Sequence, residues 1–166
     1  MAAWITPASP ETAGPAEKAY FDKYSVSKKG TIELNNAVVY KCVEMNAWDM
    51  DDEVKAKVGG RYADLLETAI SVTNQSVNCA RYFTGLIKER YGIDLAADPD
   101  YRARFDEKDA AVWDFGVQIA SDMHGMTPEL KKRLLDLFTQ EQIVVLTGMA
   151  AIMSADNIFE SVMEID

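Results

Sequence analysis

The chain has few of the residues that usually mark a metal site, a disulfide framework or a nucleic-acid surface. Its 166 residues include two cysteines, one histidine and 17 lysines and arginines against 27 acidic residues, which gives a net charge of −10. Neither Cys42 nor Cys79 belongs to a CxxC pair or to a Cys/His cluster with metal-ligand spacing, so we expect no disulfide framework and no zinc site. The negative charge offers no footprint for nucleic acid or for an anionic membrane. Small molecules or other proteins are therefore the expected partners.

Long hydrophobic runs are also missing. The opening segment, MAAWITPASPETAGP, has neither the basic start nor the apolar run of a signal peptide. The longest apolar stretch, IVVLTGMAAIM at 143–153, is too short to cross a bilayer. These observations predict a soluble protein of the cytoplasm.

Proline is scarce after the start of the chain, and no segment alternates like a strand. Three of the five prolines fall within residues 7–15, which predicts an irregular lead-in over 1–14. Hydrophobic residues make up 48% of the chain, enough for a folded core without disulfides. We predict a single all-α domain over 15–166.

The first half of the chain reads as helices joined by polar turns. A first helix is predicted over about 15–24, followed by SVSKKGT as a polar connector. Apolar residues then recur at 34, 38, 42 and 45, which places Cys42 on a buried stripe as an inert core thiol. The next segment, about 50–73, is expected to break or bend near Gly59 and Gly60.

Clear helix starts mark the second half. Asp106 is positioned to cap a helix, and Thr127 caps another in which Pro128 takes the first helical position. Thr139, with a glutamine three residues later, forms a capping box for a last helix from 140 to about 164. That helix is apolar on nearly every side, so its own domain or another subunit must cover it.

A polar stretch, SVTNQSVNCARYF at 71–83, surrounds Cys79 between two amphipathic helices. If Ser76 caps the second helix, Cys79 falls in its first turn, where the helix dipole and Arg81 favour the thiolate. Burial would instead keep the thiol protonated and make Cys79 a small apolar filler. The sequence leaves both interpretations open.

Other side chains of this stretch are candidate ligand contacts. Asn74 and Asn78 can act as polar donors to a carbonyl group, and Arg81 as a cation. Tyr82 and Phe83 can line a pocket. Arg81, Tyr82 and Phe83 also have ordinary structural explanations, because exposed arginines are common on helices and neighbouring aromatic rings usually pack in a core.

Two consecutive segments of the second half carry a family pattern: DEKDAAVWDFGVQIASDMHGMTPELKKRLL and then LFTQEQIVVLTGMAAIMSADNIFESV. They contain, in order, an acid-rich helix start, a turn, a short helix and a leucine-phenylalanine pair before a capped apolar helix. Because of this order of segments, the chain resembles the carboxymuconolactone decarboxylase and alkylhydroperoxidase D superfamily over residues from about 30 to 164. The resemblance implies a helical bundle of about seven helices.

The midsection of that family has a glutamate, then a CxxC motif whose first cysteine comes twelve residues later, and a histidine four residues beyond the second cysteine. On DLLETAISVTNQSVNCARYF these positions fall on Asp64, Ser76, Cys79 and Phe83. A serine cannot close a disulfide and a phenyl ring cannot relay a proton. The resemblance therefore disfavours an ordinary peroxidase.

The resemblance implies a cofactor-free enzyme of the carboxymuconolactone decarboxylase type, with decarboxylase or lyase chemistry on a small carboxylated or lactone substrate. Asp64, Ser76 and Cys79 are the expected catalytic residues, and Glu67, about one turn from Asp64, shares the carboxylate role if the register slips. Two alternatives stay open. One is a thiol-dependent, alkylhydroperoxidase-like antioxidant protein that uses Cys79, and the other is a non-catalytic oligomeric binding protein.

Assembly is the last expectation. An apolar final helix together with the family resemblance implies a homo-oligomer with closed symmetry, a trimer or a hexamer. The single histidine, His124, lies in the turn MHGM and is expected to be solvated or to cap a helix.

Overall fold

Residues 5–165, which the computed structural model describes, form helices and the turns between them, with no strand in that range. The helices in chain order are α1 (Pro15–Lys23), α2 (Lys28–Glu33), α3 (Ala37–Tyr40), α4 (Asn46–Lys57), α5 (Gly60–Thr73), α6 (Val77–Tyr91), α7 (Glu107–Asp122), α8 (Pro128–Leu137) and α9 (Gln140–Val162). A π-helical turn, Lys41–Met45, joins α3 to α4, and a 3-10 turn, Tyr101–Arg104, precedes α7. The all-α prediction is confirmed.

Helix starts predicted from local capping signals are confirmed. Asp106 accepts a hydrogen bond from the backbone of Asp109 and completes a capping box at the start of α7. Thr127 caps α8, and Thr139 forms the predicted capping box of α9. The break between α4 and α5 is at Gly59, whose φ of +127° is readily adopted only by glycine.

The central helix is α5, and it carries two carboxyl groups into the core. Residues 63–71 of α5 are all buried, and the helix packs most extensively against α7, then against α6 and α9. Gly116 of α7 lets the two helices approach closely, since a Cβ there would lie 2.9 Å from Ala69. Two acidic residues of α5, Asp64 and Glu67, are buried among the apolar ones.

The N-terminal part differs from the sequence-based expectation. The segment read as a polar connector forms α2, because Ser27 accepts a hydrogen bond from the backbone of Gly30 and caps it. The prediction that Cys42 is buried is wrong, because its side chain is exposed. Asn36 caps a new helix, α3, after α2. The π-helical turn that follows has more residues per turn than an α-helix. Apolar residues spaced for one continuous α-helix therefore do not share one face.

Helix α9 spans 23 residues and is buried on one side only. Among the described helices it alone is long and apolar enough to cross a membrane, and 33% of its most apolar window is buried. Core helices of soluble proteins have the same property, so this is weak evidence for a membrane span. The outward side of α9 includes Val144 and Ile158, which are 69% and 63% exposed.

Candidate functional site

A cavity of about 540 Å³ lies between α5, α6 and α9 on one side and α2, the π-helical turn and α4 on the other. Its size suits a small organic ligand. The apolar part of its wall consists of Ala47, Trp48, Tyr82, Phe83, Leu86, Met149 and Met153. Most of the other lining residues are charged, and they form two clusters of acidic and basic side chains.

Six of the residues singled out from the sequence line this cavity: Asp64, Glu67, Asn78, Cys79, Tyr82 and Phe83. Ser76 is buried just behind the wall, where its hydroxyl donates a hydrogen bond to Glu160 at 2.5 Å. Asn74 and Arg81 are not among the lining residues, and Arg81 is exposed. His124 lies in the exposed turn before α8.

Asp64 defines the first cluster, and its carboxylate is fully engaged. It is 1% exposed and accepts hydrogen bonds from Arg90 at 2.8 and 3.1 Å and from the Tyr91 hydroxyl at 2.6 Å. Burial and the hydrogen bond to Asp64 together raise the pKa of Tyr91 to about 12. Both partners come from the last turn of α6, so Asp64 ties α5 to the end of α6.

Glu67 is the unusual member of this cluster. Its side chain is 3% exposed, faces the cavity and accepts no hydrogen bond from any described residue. Burial raises the pKa of Glu67 well above its usual range, and the nearby carboxylates of Asp51 and Asp64 raise it further. Lys55 and Arg90 act in the opposite direction without outweighing burial. Burial in this setting therefore favours the protonated form of Glu67 over the carboxylate.

Cys79 lies at the other end of the cavity, beside two carboxylates of α9. Its Sγ is 3.6 Å from Oδ2 of Asp156, and Glu160 is its other acidic neighbour. Burial raises the pKa of the Cys79 thiol strongly, and the charges of Glu160 and Asp156 raise it further. Although Cys79 occupies the first turn of α6, burial and the carboxylates outweigh the helix dipole, and the thiol stays protonated.

Lys29 forms the centre of the second cluster. Its ammonium lies 2.6 Å from Asp156, 2.7 Å from Glu44 and 3.7 Å from Glu33. Burial alone would lower the pKa of Lys29, but the three carboxylates more than offset this and raise it. Burial raises the pKa of Glu33 to about 8. The charge of Lys29 lowers this pKa in part, and the charges of Glu44 and Asp156 raise it.

Several members of these clusters were not found from the sequence: Lys29, Glu33, Glu44, Arg90, Asp156 and Glu160. Asp156 and Glu160 offered a signal, because two carboxylates one helical turn apart on an otherwise apolar helix indicate a polar contact. Lys29 offered no such signal, because it lay in a stretch read as a connector.

The two α9 carboxylates and Cys79 each place one ligand atom within 4.8 Å of the others, an arrangement that could hold a metal ion.

Comparison with known proteins adds no family to this geometry. No protein-family model matches the chain, and no curated protein or solved structure is significantly similar to it.

Proposed function

We propose that the cavity is the active site of an enzyme that performs acid–base chemistry on a small molecule, with Glu67 as its proton donor and acceptor. The observation that carries this proposal is the state of Glu67: buried, facing the cavity and without a hydrogen-bond partner among the described residues. Desolvated carboxyls of raised pKa are a common means by which enzymes perform proton transfer near neutral pH. A purely structural carboxyl in this position would be expected to have a partner.

The chemistry we favour is that of a decarboxylase or lyase of the carboxymuconolactone decarboxylase type. Lys55 and Arg90 line the cavity, and their charges act on Glu67. They can hold the carboxylate of a small carboxylated or lactone substrate. When the bond to that carboxylate breaks, carbon dioxide leaves and the electron pair remains on the substrate carbon. The proton of Glu67 then passes to this carbon, and solvent restores it. The step needs no oxidant or reductant.

Asp64 holds a positioning role in this proposal. The family resemblance places the family glutamate at Asp64, yet its carboxylate already accepts three hydrogen bonds. Glu67 lies one helical turn away on the same helix and is free to meet a ligand. We therefore assign proton transfer to Glu67 and assign to Asp64 the orientation of Arg90.

The two alternative functions have less support. A peroxidase needs a thiolate, and the carboxylates of Asp156 and Glu160 oppose its formation at Cys79. Ser76 donates its hydroxyl to Glu160 and offers no second thiol. A binding protein without catalytic activity would account for the cavity but leaves the unpartnered Glu67 without a role.

We further propose that the enzyme is cytoplasmic and forms a homo-oligomer, a trimer or a hexamer, through the outward side of α9. Val144, Ile158 and Val162 are each more than half exposed on that side, and smaller residues, Ala151 and Ala155, lie between them. A second copy would cover this apolar stripe. Native mass spectrometry of the intact chain tests the assembly.

The test of the catalytic proposal compares Glu67→Gln with the parent chain. A panel of small aromatic, unsaturated and lactone acids is screened by thermal shift, and every acid that stabilises the protein is assayed for carbon dioxide release and for new products. Glu67→Gln should lower turnover by roughly 10²- to 10⁴-fold, the usual contribution of a general acid or base. Its melting temperature should stay about the same, because the amide is close in size to the carboxyl and Glu67 has no hydrogen-bond partner among the described residues to lose.

Glu89→Gln is the matched control, since Glu89 is an exposed glutamate of α6 outside the cavity. It should keep parental turnover. Parental turnover in Glu67→Gln, or no turnover of any acid by the parent chain, would contradict the proposal.

A further inference from the structure

We propose that Cys79, Asp156 and Glu160 form a binding site for a divalent transition-metal ion of the zinc type. The three side chains come together only in the fold. Cys79 is on α6, while Asp156 and Glu160 are one turn apart on the buried side of α9. They lie in the wall of the cavity, so an ion bound to them is open to a water molecule or a ligand on the cavity side.

The distance from the sulfur to one carboxylate fits coordination to a shared ion, and the second carboxylate lies near both. One ligand atom of each side chain lies within 4.8 Å of the other two, and Cys79 Sγ is 3.6 Å from Asp156 Oδ2. Zinc binds sulfur at about 2.3 Å and oxygen at about 2.0–2.2 Å in tetrahedral sites, so ligand atoms roughly 3.5 Å apart can share one ion.

Each of the two carboxylates already accepts a hydrogen bond from a residue that is not one of the three proposed ligands. Ser76 donates to Oε2 of Glu160 at 2.5 Å, and Lys29 donates to Oδ1 of Asp156 at 2.6 Å. In both residues this leaves the other oxygen for a ligand, and Oδ2 of Asp156 points towards Cys79. Metal-binding side chains are commonly oriented by such outer contacts.

An independent observation is the number of buried carboxyl groups that lie near a single ammonium. Glu33, Glu44, Asp156 and Glu160 are each at most 6% exposed. The Lys29 ammonium lies within 3.7 Å of the first three. Glu33 is 1% exposed and lies 3.7 Å from the Lys29 ammonium, yet neither of its oxygens accepts a hydrogen bond from a described residue. Buried carboxylates that outnumber their cations favour the binding of a further cation.

The donor set selects among cations. A thiolate ligand favours zinc, cobalt or iron(II) over magnesium and calcium, which take oxygen ligands almost exclusively. Binding breaks the S–H bond of Cys79, the thiolate electron pair goes to the metal, and the proton is released to the solvent. No change of oxidation state is involved.

Cobalt(II) is the probe that tests this site, because a cobalt–thiolate bond produces a charge-transfer absorption band that carboxylates alone do not produce. The parent chain, freed of metal with a chelator, should bind one cobalt ion and develop this band, and zinc should displace it while magnesium should not. Cys79→Ser should lose the band, and Glu160→Gln should weaken binding by more than tenfold. Ser76→Ala should weaken it by roughly 10- to 100-fold through the outer contact.

Cys42→Ser is the matched control, as it removes the other, exposed thiol and should leave the band unchanged. Melting curves of every variant show whether it is folded. Absence of a saturable band in the parent chain, or a band that survives Cys79→Ser, would overturn the proposal, and so would equal competition by magnesium. Glu67→Gln should bind cobalt like the parent chain, so this site and the catalytic proposal can fail separately.

Discussion

The two charged clusters of the cavity differ in the position of their cation. In the Asp64 cluster the carboxylate is buried, while Arg90 reaches it from the surface with its side chain 45% exposed. In the Lys29 cluster the ammonium itself is buried, with its side chain 16% exposed, and three carboxylates share it. If a mutation removes a charge, water can therefore replace part of the lost interaction in the Asp64 cluster but not in the Lys29 cluster. Mutations that remove charge should therefore have unequal effects on stability.

The largest effect is expected for Lys29→Met, which leaves Glu33, Glu44 and Asp156 buried without their cation. At neutral pH it should lower the free energy of unfolding by about 3–5 kcal/mol. The deficit should shrink at acidic pH, where the carboxylates are protonated. Chemical denaturation at several pH values measures this.

Lys55→Met is the matched control, because Lys55 is a partly exposed lysine that pairs with Asp51 on the same helix. It should cost less than about 1 kcal/mol. Equal losses in the two variants would remove the distinction between the clusters.

The pH dependence of stability should reveal Glu33. Burial raises its pKa in the folded chain from 4.5 to about 8, so between these values the unfolded chain has lost a proton that the folded chain keeps. The contribution of Glu33 to stability is therefore greatest below about pH 4.5 and falls as the pH rises towards 8.

Glu33→Gln has no proton to lose and should flatten that decline, by at most about 1.4 kcal/mol for each pH unit. Melting temperatures of the parent chain and the variant between pH 5 and pH 8 provide the comparison. A variant whose stability declines as steeply as that of the parent would show that Glu33 is ionised in the folded chain.

Asp64→Asn should lower stability less than Lys29→Met does, because its partner Arg90 is partly exposed to water. The amide leaves Arg90 and the Tyr91 hydroxyl without their charged acceptor, which should destabilise the fold by roughly 1–3 kcal/mol. Asp136→Asn, on the exposed surface of α8, is the control and should change stability by less than about 0.5 kcal/mol. An Asp64→Asn variant as stable as the parent would mean that this carboxylate is held for a ligand at the expense of stability.

The parts of the fold that could be predicted are those that depend on neighbouring residues. The caps at Asp106, Thr127 and Thr139 act on backbone groups three residues away, so the sequence contains all that is needed. The burial of Cys42 was predicted wrongly because periodicity assumes one unbroken helix, and neither the new cap at Asn36 nor the π-helical turn interrupts the apolar pattern.

The candidate site could be predicted only in part, for the same reason. Cys79 was found from the polar stretch around it, and Asp64 and Glu67 from the spacing of the family pattern along the same part of the chain. Their charged neighbours are distant in sequence: Cys79 meets Asp156 from 77 positions away, and Lys29 reaches the same residue across 127. Such pairs depend on how α2, α6 and α9 pack together, which single-sequence patterns do not specify.

The π-helical turn has a practical consequence for handling this protein. By turning Cys42 outwards it leaves the chain with one accessible thiol, while Cys79 is buried beside carboxylates that oppose its ionisation. The unmodified protein is thus ready for attachment of a fluorophore or a spin label at a single position. That position lies two residues from Glu44, so a label on Cys42 would report on movement of the segment that contacts Lys29.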